Sequence, residues 1–174
     1  MENRRILIFT GNGKGKTTAA LGMALRASGH GMRVKIIQFI KNDDATGEVN
    51  AIRNMQGIEL VQSGCGFIPP PSSPAFAGHC EAAEKGLQLA AEAIASATYD
   101  LVVLDELCTA VACRLLDEQR VLETVQRAGR DLCVVMTGRG ATAAMMELAD
   151  TVTEMISLKH ALEKDMPARK GVEF

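Results

Sequence analysis

The amino-acid sequence predicts a three-layer α/β domain, with a mostly parallel sheet between two layers of helices. Three observations predict it. Strand and helix signals alternate along the whole chain, the pattern of parallel strands joined by helical crossovers. The first strand signal runs straight into a loop of alternating glycines and lysines that opens a helix, "ILIFTGNGKGKTT" at residues 6–18. A later apolar run, "LVVLDEL" at 101–107, ends in two carboxylates.

The elements follow in order. "RILIF" (5–9) is a short continuous apolar run, as expected of a strand buried on both faces. "TTAALGMALRASG" (17–29) has helical periodicity and stops at Gly29 and Gly31, a C-terminal cap signal. "RVKIIQFI" (33–40) is a second strand, "GEVNAIRNMQ" (47–56) a short helix and "IELVQS" (58–63) a third strand. Residues 64–79, "GCGFIPPPSSPAFAGH", hold four of the five prolines and read as a binding loop or lid. A helix spans 80–97, a strand 101–106, a helix roughly 108–128, a strand 132–137 and a helix 141–150. "TVTEMISLK" (151–159) follows, and the last fifteen residues read as polar and irregular.

At 174 residues without a repeat, low-complexity tract or linker, one domain covering 1–174 is expected. The formal net charge of −2 gives no electrostatic footprint for nucleic acid or an anionic membrane. One Tyr, five Phe and no Trp argue against a base-stacking surface. "ILIF" is too short for a signal-peptide core, and no apolar run is long enough to span a bilayer. The five cysteines (65, 80, 108, 113 and 133) lack C-x-x-C spacing. They read as reduced thiols of a cytoplasmic protein rather than as disulfides or zinc ligands.

The loop at 9–18 carries the chemistry. Its glycines remove Cβ atoms, so backbone N–H groups can surround phosphate oxygens, and the following helix points its positive end at the same anion. Lys16 is placed to neutralise phosphate, and the Thr17 hydroxyl suits Mg²⁺. Strict Walker A spacing would put glycine at position 10, where this chain has Thr10; Gly11, Gly13 and Gly15 remain. A nucleoside triphosphate is the expected ligand. Lys14 is either an extra cation for a long polyphosphate or a solvated charge on the rim.

Carboxylates at the C-terminal end of a parallel strand lie beside such a loop and can serve its metal. If the strand continues through both, Asp105 and Glu106 point to opposite faces and have different roles. One of them could instead cap the next helix. Glu106 also resembles the water-polarising glutamate of ATPases, so the pair alone does not separate hydrolysis from group transfer.

Taken together, "TGNGKGKTTAALGMALRASGHG", "VKIIQFIK", "GEVN", "LVVLDEL", "TGRGA", "ELADTVTEM" and "KHA" resemble the P-loop corrinoid adenosyltransferases over nearly the whole chain. The resemblance implies a RecA-like P-loop fold, a homodimer, and transfer of 5′-deoxyadenosyl from ATP to corrinoid cobalt(I) with triphosphate released whole. It implies ATP bound in reverse relative to ordinary P-loop enzymes, so that the loop holds the leaving group. Gly11, Asn12, Gly13, Lys14, Gly15, Lys16, Thr17 and Thr18 would take the phosphates, and Thr17 with Glu106 the Mg²⁺, with Asp105 as a further metal candidate. Lys16 and Glu106 are the residues expected to carry catalysis. Arg26, Arg139 and His160 are candidates near the nucleotide, and a flavoprotein reductant is among the implied partners.

The chain departs from the family pattern in two places. The family carries a Phe and a Trp two residues apart that press on the corrinoid and help displace its lower axial ligand. Here Phe67 is present but Pro69 stands where that Trp would be, which leaves lower-ligand displacement open and admits a different corrinoid preference. Members also often have an N-terminal extension over the active site, whereas this chain begins almost at its first strand, so the expectation is either a less enclosed substrate or cover by the loop at 64–79. A conventional P-loop ATPase or small-molecule kinase, and a non-catalytic corrinoid carrier, are the rival readings.

Overall fold

The computed structural model describes residues 4–160 and 166–172. Six strands form one all-parallel sheet in the order β3-β2-β4-β5-β1-β6. They are β1 (Arg5–Thr10), β2 (Val34–Gln38), β3 (Ile58–Gln62), β4 (Leu101–Asp105), β5 (Cys133–Thr137) and β6 (Thr151–Glu154). The helices are α1 (Lys16–Gly29), α2 (Gly47–Ile52), α3 (Phe76–Ala95), α4 (Leu107–Ala112), α5 (Glu118–Gln126) and α6 (Ala143–Leu148). No helix among the described residues is long and apolar enough to cross a membrane.

The strict alternation of side chains along a strand sorts the sheet into two cores. On one face Ile6, Ile8, Ile37, Val102, Leu104, Val134 and Met136 pack against α3, α4 and α5. On the other, Val34, Ile36, Leu101, Val103 and Val135 pack against α1, whose buried stripe is Ala20, Ala24 and Ala27. Alanines keep α1 close to the sheet, which brings its first turn down onto the strand ends. The apolar files of three adjacent strands on this face end in polar residues: Gln38 on β2, Asp105 on β4 and Thr137 on β5, all fully buried. The site is built on that polar row.

Three elements differ from expectation. The helix expected over 108–128 is two helices, because α4 ends in a Schellman motif. Arg114 takes a positive φ of 61°, Leu115 N–H reaches Ala110 O at 2.8 Å, and Arg114 N–H reaches Val111 O at 2.9 Å. Asp117 then caps α5 by accepting the Arg120 N–H at 3.1 Å. Leu115 and Leu116, buried between the two, keep the apolar pattern running across the break. Second, α3 begins at Phe76, four residues early, after a turn in which the Phe76 N–H bonds Ser73 O at 3.0 Å. Third, β4 stops at Asp105. Glu106 has φ 64°, so the two carboxylates leave the backbone at a turn and not as opposite faces of one strand. Of the last fifteen residues, 161–165 and 173–174 lie outside the described residues.

The loop glycines answer to packing as well as to a ligand. A Cβ at Gly11, whose φ is +92°, would sit 2.4 Å from Met155 O, and one at Gly13 would lie 2.8 Å from the Met155 carbonyl. The segment just after β6 presses directly on the loop, with Gly13 N–H donating to Met155 O at 2.6 Å and Met155 N–H to Thr10 O at 2.8 Å. Thr10, where Walker A spacing asks for glycine, is buried, and its hydroxyl oxygen accepts the Ala141 N–H at 3.3 Å. Replacing Gly11 by Ala combines left-handed strain with a backbone clash, so we expect a loss of about 2–4 kcal/mol of stability in urea denaturation.

Candidate active site

A cleft of about 670 Å³ opens above the C-terminal ends of the strands, where ligands bind in open α/β sheets. It is lined by the loop from Gly13 to Thr18, by Ile40, Lys41, Gly47 and Glu48, and by Glu106, Thr109 and Arg139. The strand–loop–helix order places the start of α1 at the cleft, so its free N–H groups and positive end face whatever binds there.

Lys16 is 7% exposed and folded over its own loop, its Nζ donating to Gly11 O at 2.8 Å and Gly13 O at 2.7 Å. Burial lowers its pKa below the ordinary lysine value; Glu106 pulls the other way, Arg139 adds to the lowering and Asp105 opposes it. The ammonium is therefore short of negative charge, which an anionic ligand would supply.

Asp105 is the hub beneath the loop. Its Oδ1 accepts from Thr17 Oγ1 at 2.7 Å and from Thr137 Oγ1 at 2.7 Å, while Oδ2 accepts from Gln38 Nε2 at 3.1 Å. Lys41 Nζ stands 3.7 Å from Oδ2 and bonds Glu48 Oε1 at 2.8 Å. Both Asp105 oxygens are thus engaged by protein donors. Glu106 is only half-buried and reaches the cleft; its Oε2 accepts the Thr109 hydroxyl, whose oxygen in turn accepts the Arg139 N–H at 2.9 Å.

This arrangement fits Mg²⁺. The Thr17 proton is committed to Asp105, which leaves the hydroxyl lone pairs for a cation, and Glu106 adds a carboxylate oxygen. Among the described residues no group of three His, Cys, Asp or Glu could hold a metal. Mg²⁺ needs none where phosphate and water complete its octahedron. Asp105 is better placed to hold Thr17 than to bind the metal itself.

The sequence candidates divide. Gly13, Lys14, Gly15, Lys16, Thr17, Thr18, Glu106 and Arg139 all line the cleft. Gly11 and Asn12 are not among the described residues lining the cleft, though the Gly11 carbonyl accepts from Lys16. Arg26 is exposed in the last turn of α1, about 14 Å along the helix from Thr17. Neither it nor His160, half-buried after β6, is among the described residues lining the cleft of this chain. Phe67 is 94% exposed, so it is no anchor of its loop. Lys41, Glu48 and Thr109 line the cleft, and Gln38 and Thr137 lie beneath it, without having been singled out from sequence. The available signal was three apolar strands each ending in a polar residue of the same parity.

Fold and site together define a P-loop nucleotide-binding α/β protein whose cleft is lined by Lys14, Lys16, Lys41 and Arg139, with Thr17 and Glu106 beside them. Residues 2–174 match the family described as ATP:corrinoid adenosyltransferase BtuR/CobO/CobP, and the chain belongs to it. It is 42% identical over 170 residues to a corrinoid adenosyltransferase of Pseudomonas aeruginosa, covering 97% of this chain and 83% of that protein. Corrinoid adenosyltransferase CobA of Salmonella typhimurium is 38% identical over 171 residues, and the corrinoid adenosyltransferase of Escherichia coli K12 is 37% identical over 169. In both cases 97% of this chain and 85% of the relative are covered.

The Lys41–Glu48 pair sets a pH window. Burial would lower the Lys41 pKa, but Asp105 and Glu48 outweigh it and raise it above its ordinary value. Burial would raise the Glu48 pKa, but the hydrogen bond and charge of Lys41, with hydrogen bonds from the Glu48 backbone and Thr46, together outweigh it and lower it. The depressed Glu48 contributes stability above the unfolded carboxylate value of about 4.3, lost as pH falls through its folded value. The raised Lys41 contributes below about 10.4, lost as pH rises through its folded value. Denaturation of wild type and Glu48→Gln across pH should show a stability difference that is level from about pH 5 to 10 and shrinks below pH 4.

Proposed function

We propose that this chain transfers the 5′-deoxyadenosyl group of ATP to the cobalt(I) of a corrinoid and releases the triphosphate whole, a step of adenosylcobalamin biosynthesis or salvage. The observation that carries the reading is the cleft itself: an anion cradle around a buried lysine that lacks a full counter-charge, in a chain of the ATP:corrinoid adenosyltransferase family. Cobalt(I) supplies the electron pair of the new cobalt–carbon bond. The C5′–O bond breaks, and its pair leaves on the triphosphate.

An attacker this strong needs no base to activate it, so the protein's work is positioning and charge stabilisation of the leaving group. Lys16 would exchange its two loop carbonyls for phosphate oxygens and recover a counter-charge. Lys14 and Arg139, exposed on the cleft, add positive potential along the same anion. Thr17 and Glu106 would hold Mg²⁺, which when bound neutralises charge on the triphosphate. Glu106, tied by Thr109, acts here as a metal and positioning group and not as a base for water. Phe67, standing out of the loop after β3, offers an apolar face to the corrinoid ring. A homodimer, a cytoplasmic location and a flavoprotein electron donor belong to the same proposal.

Incubation with Mg²⁺-ATP and a chemically reduced corrinoid, followed by phosphorus NMR, should give intact triphosphate together with the absorption change of a cobalt–carbon bond. ADP and orthophosphate in its place would mean a hydrolase or kinase. Lys16→Ala should lower turnover at least a hundredfold with an unchanged far-UV spectrum. Undiminished turnover would remove the loop from the mechanism.

A further inference from the structure

Thr137 is fully buried at the end of β5 and touches neither the cleft nor the solvent. Its hydroxyl nevertheless bridges the carboxylate that holds Thr17 and the backbone of Glu106. It donates to Asp105 Oδ1 at 2.7 Å, the same oxygen that takes the Thr17 proton at 2.7 Å. It also accepts the backbone N–H of Glu106 at 2.9 Å. Glu106 itself sits in the left-handed region, φ 64°, ψ 19°, a conformation that a non-glycine residue keeps only where its surroundings enforce it. The Glu106 N–H bond to Thr137 is an interaction that fixes this turn from outside its own helix.

We propose that Thr137 is a positioning residue for the metal site, setting Thr17 and Glu106 at a fixed separation through one hydroxyl and one carboxylate oxygen. The chain of bonds runs Thr17 Oγ1 to Asp105 Oδ1, Thr137 Oγ1 to the same oxygen, and Glu106 N to Thr137 Oγ1. Each member is a short, directed contact, buried between Thr137 and Asp105 and part-buried at the Thr17 and Glu106 ends, so a tilt of one strains the next. With valine in place of Thr137 the shape survives, but Asp105 loses a donor and the Glu106 N–H loses its acceptor. The turn that aims Glu106 at the cleft is then held only by its own helix. Residues that orient metal ligands in this indirect way typically change metal affinity or activity by about ten- to a hundredfold.

The inference rests on reading the cleft as a Mg²⁺–nucleotide site and does not need the adenosyl transfer, so the readout is binding. Titrate a fluorescent ATP analogue into wild type, Thr137→Val and Thr137→Ser, once in EDTA and once across Mg²⁺ concentrations. Wild type should bind the analogue more tightly with Mg²⁺. Thr137→Val should need about ten- to a hundredfold more Mg²⁺ for the same tightening, with an affinity in EDTA within about twofold of wild type. Thr137→Ser, which keeps the hydroxyl, should restore the wild-type Mg²⁺ response. If Thr137→Val does not fold, Thr137→Cys, with a weak donor and acceptor in similar volume, carries the same comparison. An unchanged Mg²⁺ response in the Val or Cys variant, or a Ser variant as impaired as they are, overturns the proposal. A wild type indifferent to Mg²⁺ overturns it together with the metal reading, while triphosphate release, measured separately, would still stand or fall by itself.

Discussion

A carboxylate shut away from water must be met by hydrogen-bond donors, and Asp105 has them on both oxygens: Thr17, Thr137 and Gln38, with the Lys41 ammonium nearby. Each donor comes from a different element. Satisfying this one group therefore locks α1, β2, β5 and the segment after β2 to the end of β4. The layout of the cleft follows from that requirement. Remove the carboxylate and four polar groups beneath the phosphate loop lose their common partner; keep it and they can take only one arrangement.

Above that floor the loop is arranged to be stable without its ligand. Lys16 is buried and its positive charge rests on two backbone carbonyls, a tolerable but second-rate substitute for an anion. On the proposed function, exchange of those carbonyls for phosphate oxygens would give this lysine a full counter-charge. Binding energy would then be released at the part of the substrate that departs, where it favours the transition state as charge builds on the leaving oxygen. Cys108, whose thiol burial pushes up to about 12, and Cys133, pushed up to about 11, are inert packing groups in the same framework.

Most of the fold was legible because its signals are local. Continuous apolar runs gave the buried strands, and Gly31, at φ 74°, closes α1 where the sequence placed a cap. The break between α4 and α5 was hidden because Leu115 and Leu116 keep the apolar pattern alive across it; only Asp117, three residues before the N–H it caps, marks the restart. The phosphate loop was readable as one contiguous stretch. Lys41, in the segment after β2, Glu48, in the first turn of α2, and Thr109, inside α4, were not, since each is a single polar residue in an otherwise ordinary stretch and the fold makes them neighbours; Thr137 left only the shared parity of three polar strand ends as its signal. Arg26 illustrates the converse: it lies close to the loop in sequence, but a helix carries it about 1.5 Å further away with every residue.

The contact between Met155 and the loop glycines has a consequence for how the chain can diverge. The Met155 carbonyl fills the space that a side chain at Gly11 or Gly13 would take, so two stretches remote in sequence share a single mould. A register slip of one residue after β6 would move that carbonyl by about 3.3 Å and distort the cradle without altering any residue that meets a phosphate. Selection on the reaction therefore reaches a stretch of plain backbone that no list of binding residues would include.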